Sequence, residues 1–115
     1  MIAGRIAALF AAVSMILMSA CAPEGGKAAG SAKALLEQNT CLACHRLDGV
    51  AIGPAFVNVA ERYGDRPDAV DYIAGRIASG STGHWGSGQM PSFAALDEGK
   101  RKTIAKYILS LAKAK

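Results

Sequence analysis

This 115-residue sequence has no disulfide framework, because its 3 cysteines are Cys21 and the close pair Cys41 and Cys44. No stretch reads convincingly as a strand, so a sheet-based domain is not expected. No apolar run approaches the roughly 20 residues that cross a bilayer. The formal net charge of +4 is too weak and too scattered to argue for a nucleic-acid partner. No internal repeat is visible, and the length allows one domain at most. What is left is a small helical domain with a thin apolar core. Scaffolds of that kind need a staple, and something other than disulfides must supply it.

The beginning of the chain has a different character. "MIAGRIAALFAAVSMILMSAC" carries one positive charge, Arg5, and then an apolar run from Ile6 to Met18 broken only by Ser14. That length suits a signal-peptide h-region. Ser19 and Ala20 directly before Cys21 resemble a lipobox, with Met18 where Leu is usual. Residues 1–20 are therefore expected to be a lipoprotein-type signal peptide, cleaved before a lipidated Cys21. An uncleaved anchor is the other reading. Cleavage would remove Arg5 and take the net charge from +4 to +3. It would also leave one methionine, Met90, one tryptophan, Trp85, and two histidines, His45 and His84. Export favours an oxidising compartment.

Residues 21–30, with "APEGGKAAG", read as a flexible linker, and residues 31–115 as the folded domain. Ser31 is placed to cap a helix carrying Leu35 and Leu36 up to Asn39. Phe56, Val59, Ala60 and Tyr63 follow the i, i+3, i+4, i+7 spacing of a helix face, and Val70, Ile73, Ala74 and Ile77 repeat it. Pro67 lies near the start of that third helix and Gly80 just past its end. Asp97 opens a last helix with Ile104, Ile108 and Leu111 on one face, and its Lys100, Arg101, Lys102, Lys106 and Lys113 mostly elsewhere. Two stretches, "RLDGVAIGPAF" and "GSTGHWGSGQMPSF", refuse a helical reading. Long ordered loops in so small a domain are usually functional.

The chemistry concentrates in "NTCLACHRLDG". On a helical turn, residues three and four apart share a face. Cys41 and Cys44 can then bond two neighbouring substituents of a planar ligand, with the His45 imidazole brought over that plane. C-x-x-C-H is the attachment signature of c-type haem, with two thioethers and one axial nitrogen. A zinc site would need His84 as its fourth ligand and would crowd adjacent Cys44 and His45 around a tetrahedral ion. A dithiol redox pair should precede a helix in a βαβ setting, which the sequence does not offer.

A low-spin electron-transfer haem needs a second axial ligand, usually Met or His. Met90, in "GQMPSF", is the only methionine after the leader and follows His45 by 45 positions in a glycine-rich loop. A gap-filling core methionine is the competing account of it. His84 is the rival ligand, set among Gly83, Trp85 and Gly86.

From about Leu35 to Leu111 the chain resembles the short bacterial class I cytochromes c. "CLACH", "IGPAF", "RIASGSTGHWGSGQMP" and "TIAKYILSL" occur in the family's order and at family-like spacing. The resemblance implies an all-α fold, four to five short helices wrapped around one covalent haem c. It implies Cys41 and Cys44 as thioether positions, and His45 and Met90 as axial ligands. It implies that the Pro54 carbonyl accepts the His45 Nδ1–H, and that Arg76 and Trp85 bond the propionates through guanidinium and indole N–H groups. Gly-Pro alone would be read as a turn, Arg76 alone as a solvated helix residue, and Trp85 alone as core. Relatives commonly have a proline just before the ligand methionine and further prolines or an asparagine soon after it. Here Gln89 precedes Met90, and Ser92 and Phe93 follow Pro91.

The function expected is one-electron transfer between respiratory redox partners, not catalysis, because two axial ligands leave no open iron position. The carrier is expected to be a periplasmic monomer, held at the outer membrane by the lipid on Cys21, docking transiently with its partners. Two other readings remain at this stage. One is a dedicated haem c subunit of a periplasmic dehydrogenase, and the other is a haem-based gas sensor in which Met90 dissociates.

Overall fold

A computed structural model describes residues 24–113. The expected signal peptide, residues 1–20, and Cys21 lie outside the described residues. Four α-helices are described: α1 (Glu24–Gln38), α2 (Phe56–Tyr63), α3 (Ala69–Ser79) and α4 (Glu98–Leu109). A 3₁₀ turn at Cys41–Ala43 follows α1. Two short strands, β1 (Ser81–Thr82) and β2 (Gln89–Met90), pair antiparallel with Ser81 opposite Met90. The all-helical expectation holds, with this two-residue ladder as an addition. It lies in a loop too rich in glycine for a strand pattern to show.

Helix α4 is the centre of the packing and contacts α1, α2 and α3. Its Asp97 caps it, a carboxylate oxygen accepting from Lys100 N–H at 3.1 Å. Ile104, Ala105, Tyr107 and Ile108 are buried along one side. Leu111, expected on that face, lies in the turn beyond the helix end and is only partly buried against the core. From α1 come Ala32, Leu35 and Leu36, from α2 Phe56 and Val59, and from α3 Ile73, Ala74 and Ile77. Leu36 and Ile104 are the largest side chains wholly removed from water. Burying each stabilises the fold by roughly 1.5–3 kcal/mol.

The start of α1 differs from expectation. The helix begins at Glu24, so the part of the presumed linker from Glu24 to Gly30 is helical and Ser31 is not its cap. The reason is local: alanines are the best helix formers, and no proline interrupts Glu24–Gln38. A Cβ added at Gly26 or Gly30 would meet open space. Of the α1 residues whose burial is described, Gly26, Gly30 and Ser31 are exposed and Ala32 is the first buried.

Helix α3 starts after Pro67, as expected, but Asp68 does not cap it with its side chain. That carboxylate instead binds Arg66 Nε and Nη2, at 2.9 and 3.0 Å. The basic residues of α4 are partly committed within the fold. Lys102 bridges Asp71 at 3.1 Å and Glu98 at 3.0 Å, and Arg101 donates to the Leu96 carbonyl.

Candidate haem site

The helices leave one apolar cleft between the Cys-x-x-Cys-His turn and the loop carrying Met90, with about 1390 Å³ of atom-free space counted out to its mouth. Leu36, Phe56, Ile73, Ile77, Ile104 and Ile108 give it apolar walls. Cys41, Cys44, His45, Pro54, Arg76, Trp85 and Met90 all line it, so every residue singled out for the haem reaches one cavity.

The attachment turn forms because α1 stops sharply. Asn39 turns its side-chain amide back to the Leu35 carbonyl at 2.8 Å, and Thr40 enters the left-handed region at φ 55°. For a β-branched residue that conformation costs roughly 1–2 kcal/mol. The Cys41 carbonyl then accepts from both Cys44 N–H (3.2 Å) and His45 N–H (3.0 Å). One tight turn therefore presents both sulfurs and the imidazole, where a longer helix was not needed. Cys41 and Cys44 form no disulfide. Burial pushes the Cys41 thiol above its ordinary 9.0, so in the unmodified chain it stays protonated at neutral pH.

His45 is held on three sides. Its Nδ1 lies 2.7 Å from the Pro54 carbonyl oxygen. A carbonyl only accepts, so Nδ1 carries the proton and Nε2 is left with its lone pair for a metal. The ring stacks on Phe56, centroids 4.8 Å apart and planes at 18°. Gly53 passes so close that a Cβ there would lie 2.7 Å from Cε1 and 2.9 Å from Nδ1. The Gly53–Pro54 segment is itself anchored by Gly53 N–H on the Cys44 carbonyl at 2.7 Å.

On the other wall, Met90 is partly buried against the core. Its backbone runs against Gly80, where φ is +76° and a Cβ would come within 2.5 Å of the Met90 carbonyl oxygen. Gly80 was read only as a helix stop, whereas here it lets the Met90 loop approach. Nearby, the Arg62 guanidinium stacks on Trp85 at 4.5 Å and donates to the His84 carbonyl at 2.8 Å. Trp85 meets Tyr63 edge-on at 6.0 Å. Burial, then Tyr72, raises the Tyr63 phenol, while Arg62 and Trp85 pull it back. His84 lines the same cleft. Its Nε2 faces Arg76 Nη1 at 3.4 Å.

These features test whether a haem suits the cleft. The Arg76 Nε is buried and has no hydrogen-bond partner. An unpaired buried guanidinium donor is costly unless an anion meets it, and a propionate is such an anion. The walls are apolar, the two thiols are free and one imidazole nitrogen is available. The residues fit the group. Among the described residues, no cluster of three or more His, Cys, Asp or Glu is arranged to hold a metal ion.

Four helices around an apolar cleft bearing Cys-x-x-Cys-His define a class I c-type haem domain. The Cytochrome c family profile matches residues 29–112, and the chain belongs to that family. It is 46% identical to cytochrome c-552 of Hydrogenobacter thermophilus over 77 residues, 67% of this chain and 78% of that one. The crystal structure of wild-type Nitrosomonas europaea cytochrome c552 superposes with a TM-score of 0.65 at 38% identity, covering 69% of this chain and 98% of that one. The class 1 cytochrome MtoD of Sideroxydans lithotrophicus shares the fold at 24% identity, with a TM-score of 0.62 over 73% of this chain and 96% of its own. The cofactor is one covalent haem c, and the chain is an electron carrier, not an enzyme.

Sequence reasoning missed Gly53, Phe56 and Thr40 around His45, and Arg62 beside Trp85. Only the glycine left a signal, as the residue before Pro54 in a loop that refused helical periodicity.

Proposed function

We propose that this chain is a periplasmic one-electron carrier whose haem c is bonded through Cys41 and Cys44 and ligated by His45 and Met90. The Pro54 carbonyl orients His45, and Arg76 and Trp85 face the propionates. Thioether ligation by Met90 favours Fe(II) and raises the potential. The carrier is a monomer that docks briefly with its redox partners, on an interface below about 1,200 Å². Its signal is of lipoprotein type, cleaved before Cys21, and the lipid holds the domain at the outer membrane. Tethering supplies local concentration in place of affinity. The Glu24–Gly30 part of the expected linker belongs to α1.

The observation that carries the ligand assignment is the 2.7 Å contact of His45 Nδ1 with the Pro54 carbonyl, which leaves Nε2 to the iron. The test is an optical spectrum of the protein expressed with haem attachment, oxidised and reduced, with and without carbon monoxide. A low-spin c-type spectrum with the oxidised-state Met–iron band, indifferent to carbon monoxide, is expected. Ready carbon monoxide binding without that band would remove Met90 as ligand and favour a gas sensor. Mass spectrometry of membrane fractions tests the diacylglyceryl group on Cys21, and an unmodified Cys21 would sink the anchor.

A further inference from the structure

After Met90 the loop carries one proline, Pro91, and no asparagine before α4, so its anchorage must come from other residues. Pro91 has no N–H, and the first side chain able to tie the loop down after Met90 is Ser92. The Ser92 hydroxyl donates to the Ala78 carbonyl at 2.6 Å and accepts from Ala94 N–H at 3.3 Å. Phe93 N–H donates to the Ile77 carbonyl at 2.9 Å. Ile77 and Ala78 belong to the last turn of α3, whose carbonyls have no partner within the helix. The loop is thus fastened to α3 just after Met90, and by the Ser81–Met90 pairing at Met90 itself. Pro91 makes the link between Ser92 and Met90 stiff, because its φ is fixed.

We propose that Ser92 is a positioning residue for Met90: its bond to the α3 terminus sets how firmly the loop presents the thioether. This rests on the assignment of Met90 as axial ligand. Ser92 is exposed, so water replaces it at Ala78 O when the hydroxyl is lost. Global stability then changes little, while the loop gains freedom to leave the iron.

The experiment titrates the oxidised, haem-loaded full-length protein with imidazole, which competes for the sixth position, and follows the Met–iron charge-transfer band. Wild type, Ser92→Ala and Ser92→Thr are compared, and thermal unfolding is recorded for each. The inference expects Ser92→Ala to bind imidazole about two- to tenfold more tightly, as loss of one net hydrogen bond implies. Ser92→Thr, which keeps the hydroxyl, should stay near wild type. Equal affinity in wild type and Ser92→Ala would overturn the inference. So would an equal rise in both variants, or a rise matched by a fall in unfolding temperature that accounts for it. A wild-type protein lacking the band altogether would instead overturn the ligand assignment, and the inference with it.

Discussion

The Nδ1 of His45 donates to the carbonyl oxygen of Pro54 across 2.7 Å, joining residues nine apart through a loop of no regular structure. The bond fixes the tautomer and would make Nε2 a better donor to a haem iron in the cleft. Its backbone acceptor cannot be removed by exchanging a side chain. What can be changed is the space beside it.

Gly53→Ala should therefore disturb His45 more than any change at Pro54. The added Cβ would sit 2.7 Å from Cε1. Either the ring or the Gly53–Pro54 segment must shift, at a cost of roughly 1–3 kcal/mol. A lower unfolding temperature of the haem-loaded protein, with a displaced or high-spin Soret band, is the expected result. A variant with wild-type spectrum and stability would show that the loop yields freely.

Arg76→Leu should lower the midpoint potential. Arg76 lines the cleft and its Nε has no protein partner. Removing a fixed cation near the haem relieves the oxidised state, whose net charge is more positive by one. The fall should be on the order of tens of millivolts. Spectroelectrochemistry at neutral pH measures it, and an unchanged or higher potential would contradict the placement of Arg76 at the propionates.

The Arg66–Asp68 pair predicts a pH signature. Hydrogen bonding to Arg66 holds the Asp68 carboxyl below its ordinary 3.8. A carboxylate with a depressed folded-state value contributes stability above its unfolded value and loses it as pH falls through the folded one. Asp68→Asn should thus be slightly less stable than wild type at neutral pH, with the difference shrinking from about pH 4 downward as pH falls through the lower folded-state value. Both groups are exposed, so the effect is small. Thermal unfolding followed by circular dichroism from pH 3 to 7 tests it. A difference that persists undiminished at the acid end would assign the loss to something other than this ion pair.

Much of the site was legible in the sequence because haem attachment is local chemistry. Cys41, Cys44 and His45 lie within one turn, and their spacing alone makes a planar ligand reachable. Met90 was singled out by scarcity, and it lines the same cleft. The faces of α2 and α3 were legible because a 3.6-residue period is a property of neighbouring residues. The α1 start was misread, because glycines in "APEGGKAAG" suggested a linker while the alanines and absence of proline allowed helix.

Other features depend on contacts between distant segments, and no local pattern encodes them. Gly53 is constrained by a histidine eight positions earlier, and Gly80 by a carbonyl ten positions later. The buried, unpaired Nε of Arg76 exists only because α3 and the Trp85 loop close around the same cleft. By itself the sequence determined the cofactor and the helical class, and singled out a candidate point of attachment, since these rest on spacing and composition. Only the tertiary structure decided how His45 is oriented and what holds the Met90 loop. Hydrogen-bond partners and steric limits arise when the chain folds back on itself.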